Sequence, residues 1–344
     1  MMRSFGGALG GLLTALLLMV VLYSRFVGNP PVFDDHNIIT NLSAYNHALI
    51  PFGLSPRTLS HFSIGFLEVM SRGVLSWNRW FGIALFGALV VALYFFLLRA
   101  LNRFASFDGM NVRWAALFAC LWVSLNPVAV YATGYLIQRT IVFACLFGIV
   151  SATLYLRAQQ QNRNADVFSA ALFAGLSVMS KEHAALLPCA VLALTPLVCD
   201  WNRASLLRAS GYLFLSLPCS IWAVLNNAKE IVGTSYEIYS GQVLSQFSRP
   251  GFFDFPGGDW VMSMATQLLL FWKYLFLWFV PNPQWLSADM RVDFPVLWSS
   301  GWPILGVMVS LLVFAAAIFL WFGSSTQSKA RPLSAVLIFA AIPF

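Results

Sequence analysis

The sequence predicts an all-α integral membrane protein that crosses the bilayer about nine to eleven times. Hydrophobic residues make up 59% of its 344 residues, charged residues only 10%, and the mean hydropathy is +0.75. A soluble chain carries about 25% charged residues to cover its surface, so this chain cannot keep its exterior hydrated. Its apolar residues are grouped in runs, and many of these approach the roughly 20 residues that a helix needs to span about 30 Å of hydrocarbon.

The apolar runs follow one another along the whole chain and predict a single transmembrane domain over residues 1–344. The first run lacks a small-residue cleavage site, so we interpret it as an uncleaved span rather than a signal peptide. The last run is still apolar at its end, and we expect the natural protein to continue. The runs are 5–24, 81–98, 114–132, 140–156, 167–180, 184–199, 209–226, 262–281, 300–322 and 332–344.

The distribution of Lys and Arg predicts the orientation. With a cytoplasmic N-terminus, the inside segments hold ten of the 20 basic residues but only three of the 13 acidic ones. Since cytoplasmic loops carry the excess of Lys and Arg, two long polar stretches, 25–80 and 227–261, are predicted to be extracytoplasmic. The net charge of +7 is then an orienting signal, and no nucleic-acid partner is needed.

The run 262–281 conflicts with this orientation. If it spans fully, Lys329 and Arg331 fall outside, against the charge rule. We therefore prefer a re-entrant or interfacial hairpin, which membranes tolerate where protein covers it.

Cysteine and histidine spacing gives no metal or disulfide signature. The five cysteines form no C-x-x-C pair, and we expect them to be buried in apolar packing. The four histidines lack the spacing of metal ligands. A divalent cation bound by Asp34 and Asp35 is left as an open alternative. The chain has no Walker loop and no G-x-G-x-x-G motif, so nothing supports nucleotide chemistry.

Two adjacent carboxylates, Asp34 and Asp35, lie ten residues beyond the first span. A neighbouring like charge and partial desolvation raise the pKa of a carboxyl group towards the range of a general base. The alternative is a helix cap or a solvated loop pair.

Arg139 begins an apolar helix with no acidic residue near it in sequence. A guanidinium at this depth suits a phosphate, to which it donates two parallel hydrogen bonds. A snorkelling arginine that orients the helix is an equal alternative.

The segment Ser180-Lys181-Glu182-His183 separates two apolar runs. The run before it has 14 residues and rises about 21 Å as a helix, less than the hydrocarbon thickness. Lys181 and Glu182 are therefore predicted to lie below the membrane surface, where ionisable residues are usually functional. The alternative is a Lys–Glu turn that neutralises itself.

Lys273 lies between Trp272 and Tyr274 in an otherwise apolar run. A lysine among aromatic rings can hold an anionic headgroup. Anchoring by an interfacial aromatic belt explains the pattern nearly as well.

In this order, the motifs resemble those of multi-span glycosyltransferases with the GT-C fold. The similar branch is the protein O-mannosyltransferase-like family that often carries tetratricopeptide repeats, including bacterial relatives that modify pilins or other surface proteins. The resemblance extends over residues 1–344, although the repeats are absent and the chain ends before a Glu-His-Arg-type motif. The segments that carry it are Asp34-Asp35, Arg57-Thr58-Leu59-Ser60, Asn126-Pro127, Gln138-Arg139 with Val142-Phe143-Ala144, Ser180-Lys181-Glu182, Lys273-Tyr274 with Pro281, and Leu286-Ser287.

The resemblance implies an inverting enzyme that moves a sugar from a polyprenyl-phosphate donor to a hydroxyl acceptor, such as a pilin-like protein or a lipid. The active site would face the periplasm from a bacterial inner membrane. Asp34 or Asp35 would be the base, with Asp34 preferred, and the other would orient the acceptor. The remaining implied residues are the phosphate partners Arg139, Lys181 and Lys273 and the supporting residues Glu182, Arg57, His183 and Tyr274.

Two other classes of protein remain open as alternatives. A transporter or flippase of a lipid-linked sugar would commonly show two related halves with binding residues near the midplane, but no internal repeat is visible here. A non-catalytic scaffold would need no acidic pair beside a buried cation.

Overall fold

The computed structural model describes residues 2–32, 35–36, 57–102, 109–199, 201–232, 258–282, 284–285 and 300–323. The chain divides into two compact units. The first comprises residues 1–225 and 320–344, and the second comprises residues 226–319.

Regular secondary structure in the described residues is entirely helical, as the sequence predicts. Short 3-10 turns at Pro127–Ala129, Leu136–Gln138, Glu182–Leu186 and Thr195–Leu197 link some of the α-helices. The α-helices are α1 (Met2–Ser24), α2 (Thr58–Ser71), α3 (Leu75–Leu101), α4 (Gly109–Leu125), α5 (Val130–Gly134), α6 (Arg139–Gln161), α7 (Asn164–Ser180), α8 (Leu187–Leu192), α9 (Arg203–Val232), α10 (Gly258–Phe279) and α11 (Trp302–Gly323).

Six helices in the described residues are long and apolar enough to cross a membrane, or seven if the pair α4 and α5, bent by 55°, counts as one span. These helices are compatible with an integral membrane protein, but within the described residues they are fewer than the nine to eleven spans predicted. The run 184–199 is a broken series of short segments, with Pro188 in the first turn of α8 and Pro196 in the following 3-10 turn. The run 332–344 lies outside the described residues.

The preferred hairpin at 262–281 is wrong. Residues 258–279 form one uninterrupted helix of 22 residues, α10. The chain has no proline or glycine between Gly258 and Pro281, so nothing in this segment favours a turn. Within the second unit, the indole Nε1 of Trp272 donates to Ser310 Oγ of α11 at 2.9 Å.

The long helices of the first unit alternate in direction. Tyr23 at the end of α1 donates through its hydroxyl to the carbonyl of Ser124 at the end of α4, at 3.1 Å, so these helices run parallel. Helix α3 also runs parallel to α6, since Asn78 lies beside Arg139 and Arg99 beside Gln160.

The α6–α7 hairpin turns at Asn162, which adopts the left-handed conformation. Ser177 of α7 donates to the carbonyl of Ala144 in α6 at 2.7 Å, so α7 runs antiparallel to α6.

The first unit therefore has two ends. The site end joins the C-termini of α1, α4 and α7 to the N-termini of α3 and α6, and the opposite end joins their other termini. Arg139 and Arg157, at the two ends of α6, are 18 residues apart in sequence. At 1.5 Å per residue this separates them by about 27 Å, close to the thickness of a hydrocarbon core.

The cysteines depart in part from the expected burial. Cys120 is buried, but Cys145 and Cys189 are exposed, and Cys199 and Cys219 are intermediate. None of the five is in a disulfide. Exposure at the surface of an apolar helix is compatible with lipid contact, which sequence alone does not distinguish from protein packing.

Candidate functional site

The candidate site begins with Asp35 at the site end. Its carboxylate is completely buried. One oxygen accepts the backbone N–H of Leu136 at 3.0 Å, and the other accepts that of Ile137 at 3.1 Å. Asp35 thereby ties the start of the first loop to the turn that precedes α6.

Burial raises the pKa of Asp35 above its ordinary value. The two N–H donors and the positive charges of Arg79 and Arg139 act in the opposite direction without overcoming the desolvation. A carboxyl group with a raised pKa is suited to acid–base work nearer neutral pH.

Arg139 lies inside the first unit, with 2% of its surface exposed. Its guanidinium donates to Asn78 Oδ1 at 3.0 Å, to the Asn78 carbonyl at 2.6 Å and to Ser63 Oγ at 3.2 Å. It lies 5.0 Å from the centre of the Phe81 ring, and its Nε has no hydrogen-bond partner. The burial argues against a snorkelling arginine, because a snorkelling side chain keeps its charge in the interface.

Arg79, a second buried arginine, was not predicted from the sequence as a site residue. Its guanidinium donates to the Pro30 carbonyl at 2.7 Å and to the Gly134 carbonyl at 2.9 Å. Arg79 therefore connects the segment that follows α1 to the C-terminal end of α5. Arg79 and Asp35 thus join the same two stretches of chain through different atoms.

Glu182 is the centre of a second charged group. Its carboxylate accepts Arg57 Nε at 3.0 Å and also the Arg57 Nη2 atom, and Lys181 Nζ lies 3.6 Å away. His183 Nδ1 is 3.5 Å from the same carboxylate. Lys181 and Glu182 are in contact, and Arg57 is the closer partner of Glu182.

Opposing effects set the pKa of Glu182. Burial raises it, but hydrogen bonds from His183 and Arg57, a backbone hydrogen bond and the charge of Lys181 outweigh the burial and hold the pKa well below its usual range. Glu182 is therefore ionised at neutral pH and is not suited to serve as a base.

His61, in the first turn of α2, belongs to this second group. Burial lowers its pKa, and the charges of Arg57 and Lys181 lower it further against the smaller opposite effect of Glu182. His61 is accordingly neutral at pH 7, with one ring nitrogen able to accept a proton.

Helix α2 connects the two charged groups. Ser63 contacts Arg139, and the carboxylate of Glu68 accepts Asn78 Nδ2 at 3.2 Å. Arg57 precedes the same helix in the left-handed conformation and donates its backbone N–H to the Met179 carbonyl of α7 at 3.0 Å. The first loop, the turn before α6 and the turn after α7 therefore meet at one place.

Four further residues were predicted for the site: Asp34, His183, Lys273 and Tyr274. Asp34, the preferred base, lies outside the described residues. Lys273 is exposed and Tyr274 partly buried on α10 of the second unit. His183 touches Glu182 but is 73% exposed.

Four residues of the site were not predicted from the sequence: Arg79, Asn78, Ser63 and His61. A signal was available for the first two: polar side chains interrupt the first turns of α3, which is otherwise strongly apolar. Ser63 and His61 had no comparable signal, because polar residues are ordinary in the stretch that contains α2.

Within the described residues, His, Cys, Asp and Glu do not gather in groups of three that could hold a metal ion. The cation considered at Asp34 and Asp35 is not tested, since Asp34 is outside these residues.

Comparisons with known proteins find no family model, no curated protein and no solved structure that matches this chain.

Proposed function

We propose that the protein is an inverting glycosyltransferase of the GT-C type. It takes a sugar from a polyprenyl-phosphate donor and transfers it to a hydroxyl group, such as a protein Ser or Thr, on the extracytoplasmic face. One observation carries the proposal: charged groups from distant parts of the sequence, around Asp35, Arg139 and Glu182, converge at one end of the helix bundle. Burying ionisable side chains is costly, so such a cluster is more often functional than incidental.

The acidic pair supplies the base in this proposal. Both oxygens of Asp35 are engaged by backbone N–H groups, so Asp35 holds the loop and orients the acceptor, while Asp34 takes the acceptor proton. The acceptor oxygen bonds to C1 of the sugar as the bond from C1 to the phosphate oxygen breaks. Polyprenyl phosphate leaves with the bonding electrons, and a single displacement inverts the anomeric centre.

Cations balance the charge that develops on the leaving phosphate. Lys181 and Arg57 have 19% and 26% of their side chains exposed, so a ligand can reach them. Arg139 is buried and already donates to Asn78 and Ser63. Its positive charge therefore acts on the phosphate through space, since direct contact would require those hydrogen bonds to open.

The deciding experiment measures sugar transfer by purified protein from a synthetic polyprenyl-phosphate sugar to a hydroxyl acceptor. We expect Asp34→Asn to lower the rate by about 10²–10⁴-fold, the usual contribution of a general base. Asp35→Asn is expected to lower it as well, because Asn cannot accept both N–H bonds. Arg25→Gln, an exposed change, is the control and should leave the rate unchanged.

The outcomes separate the alternatives. Full activity in both aspartate variants would exclude the assigned base. Movement of the donor across a vesicle membrane without sugar transfer would favour a transporter or flippase instead. If well-folded protein shows no sugar transfer and no transport, the non-catalytic scaffold is the interpretation that remains.

A further inference from the structure

The opposite end of the first unit carries a compact group of arginines, which we call the arginine cluster: Arg99, Arg157 and Arg163, with Asp166. Arg157 donates from Nε to Asp166 Oδ2 at 2.7 Å and from Nη2 to Oδ1 at 2.5 Å. Arg163 Nε lies 3.9 Å from the same carboxylate. Arg99 donates to Gln160 Oε1 at 2.8 Å and is close enough to interact electrostatically with Arg157 and Asp166.

The charges of the arginine cluster do not balance. Three guanidinium groups from α3, α6 and the α6–α7 turn share one carboxylate, which leaves a formal charge of +2. Asp166 is 5% exposed, whereas Arg157 is 35% and Arg163 58% exposed. The negative charge is therefore covered by protein, and the positive charge faces outward. An anion with several acceptor oxygens complements this arrangement.

The depth of the arginine cluster in the membrane indicates which kind of anion it binds. Arg157 lies about 27 Å from Arg139 along α6, so the cluster is at headgroup depth if the site end is at the other surface. Phe95, one turn before Arg99 on the same face of α3, is 54% exposed. Outward guanidinium groups near an exposed aromatic ring suit a molecule with an anionic head and an apolar tail.

We infer that the arginine cluster binds the phosphate of an anionic phospholipid headgroup on the membrane face opposite the candidate site. Basic pockets between transmembrane helices recognise anionic headgroups by this chemistry. The inference is independent of the proposed enzyme activity, because it rests on a different group of residues at the other end of the bundle.

The test uses the full chain in detergent micelles and a phosphatidylglycerol that carries a fluorophore on its acyl chain. Energy transfer from the tryptophans reports binding, with the same fluorophore on phosphatidylcholine as the neutral comparison. The test variant is Arg99→Gln with Arg163→Gln; Arg157 is retained because it neutralises buried Asp166. The matched control, Arg25→Gln with Arg72→Gln, removes the same charge from exposed residues of the site end.

We expect the wild type and the control to prefer phosphatidylglycerol, and the test variant to bind it roughly thirtyfold more weakly, as two arginines at a membrane surface imply. An unchanged thermal midpoint shows that the variant is folded. Equal weakening by the control would reduce the effect to overall charge and overturn the inference. Displacement of the probe by inorganic phosphate at the same concentration as the lipid would also overturn it, because the cluster would then take free phosphate.

Discussion

Asp35 and Glu182 are both buried carboxylates, but they are held by different partners. Asp35 accepts two backbone N–H groups and interacts with arginines only at longer range. Glu182 is in direct contact with Arg57 and lies 3.6 Å from Lys181. The pKa of the first is raised and that of the second is lowered. Such a divergence of two acids within one site is typical of groups with different chemical roles.

We predict that His61 and Glu182 each produce a step of lost stability on acidification. The folded-state pKa of His61 lies below 6.5 and that of Glu182 below 4.5. Both groups therefore bind more protons when unfolded, so the stability they contribute is present above the ordinary pKa and is lost as pH falls through each window. Thermal midpoints measured from pH 7.5 to pH 3.5 check this.

Variants assign the two steps to their residues. His61→Gln should flatten the change that begins near pH 6.5, and Glu182→Gln should reduce the one that begins near pH 4.5. At neutral pH, Glu182→Gln should also cost about 1–2 kcal/mol, a modest value because its cationic partners remain partly hydrated. His36→Gln, at an exposed position, serves as the histidine control. A wild-type midpoint that stays constant from pH 7.5 to 3.5 would contradict the prediction.

At the scale of elements, proline content distinguishes two of the apolar runs, although a single proline need not break a helix: Pro218 lies inside the continuous helix α9. The run 184–199 contains two prolines and is divided into short segments. The run 262–281 has none before its last residue and forms one helix. Glycine has a different role between α10 and α11, where it allows two helices to approach closely.

We predict that Gly306→Ala destabilises the α10–α11 pair. A Cβ at Gly306 would lie 2.8 Å from both the backbone N and Cα of Leu269. Because backbone atoms cannot rotate away, the helices must separate, at a cost of about 1–3 kcal/mol. The thermal midpoint of the purified protein should fall by several degrees.

Gly10→Ala is the matched control for this change. Its added Cβ would meet no atom within 4 Å, and alanine favours a helix by about 1 kcal/mol over glycine. Its midpoint should stay the same or rise. Equal midpoints for the two variants would show that α10 and α11 do not pack closely at Gly306.

At the scale of the whole molecule, the two ends of the first unit differ in charge. Among the described side chains, the site end has six basic and three acidic residues: Arg25, Arg57, Arg72, Arg79, Arg139 and Lys181 with Asp35, Glu68 and Glu182. The opposite end has six basic residues and one acidic residue: Arg99, Arg113, Arg157, Arg163, Arg203 and Arg208 with Asp166. The opposite end holds the basic segments from which the cytoplasmic side is predicted, and the orientation itself stays a prediction.

We predict that cysteines placed at Arg25 and Arg163 are labelled from opposite sides of the membrane. Both residues are exposed, and they belong to different ends of the first unit. In a background without the five native cysteines, an impermeant maleimide added to intact cells should label Arg25→Cys only. Labelling of Arg163→Cys only would reverse the orientation, and labelling of both from outside would exclude a spanning bundle.

Composition and periodicity were sufficient for the class of protein and for most of its helices. A chain with 59% hydrophobic and 10% charged residues must be solvated by lipid, and backbone groups in lipid must be satisfied within helices or closed barrels. The motifs around Asp35, Arg139 and Lys181 were also evident in the sequence, because charge is rare in this chain. Their common function stays a prediction.

The tertiary structure alone decided which of these charges meet. The contact of Asp35 with the turn before α6 and that of Arg57 with Glu182 join residues 101 to 125 positions apart. The clamp at Arg79 and the neutral His61 follow from how α2 and α3 pack, which local sequence does not specify. The sequence alone was sufficient to predict that lipid surrounds the chain and that the chain is helical, because the first follows from side-chain hydrophobicity and the second from backbone hydrogen bonding. The site required the fold, because partner choice among buried charges depends on distance.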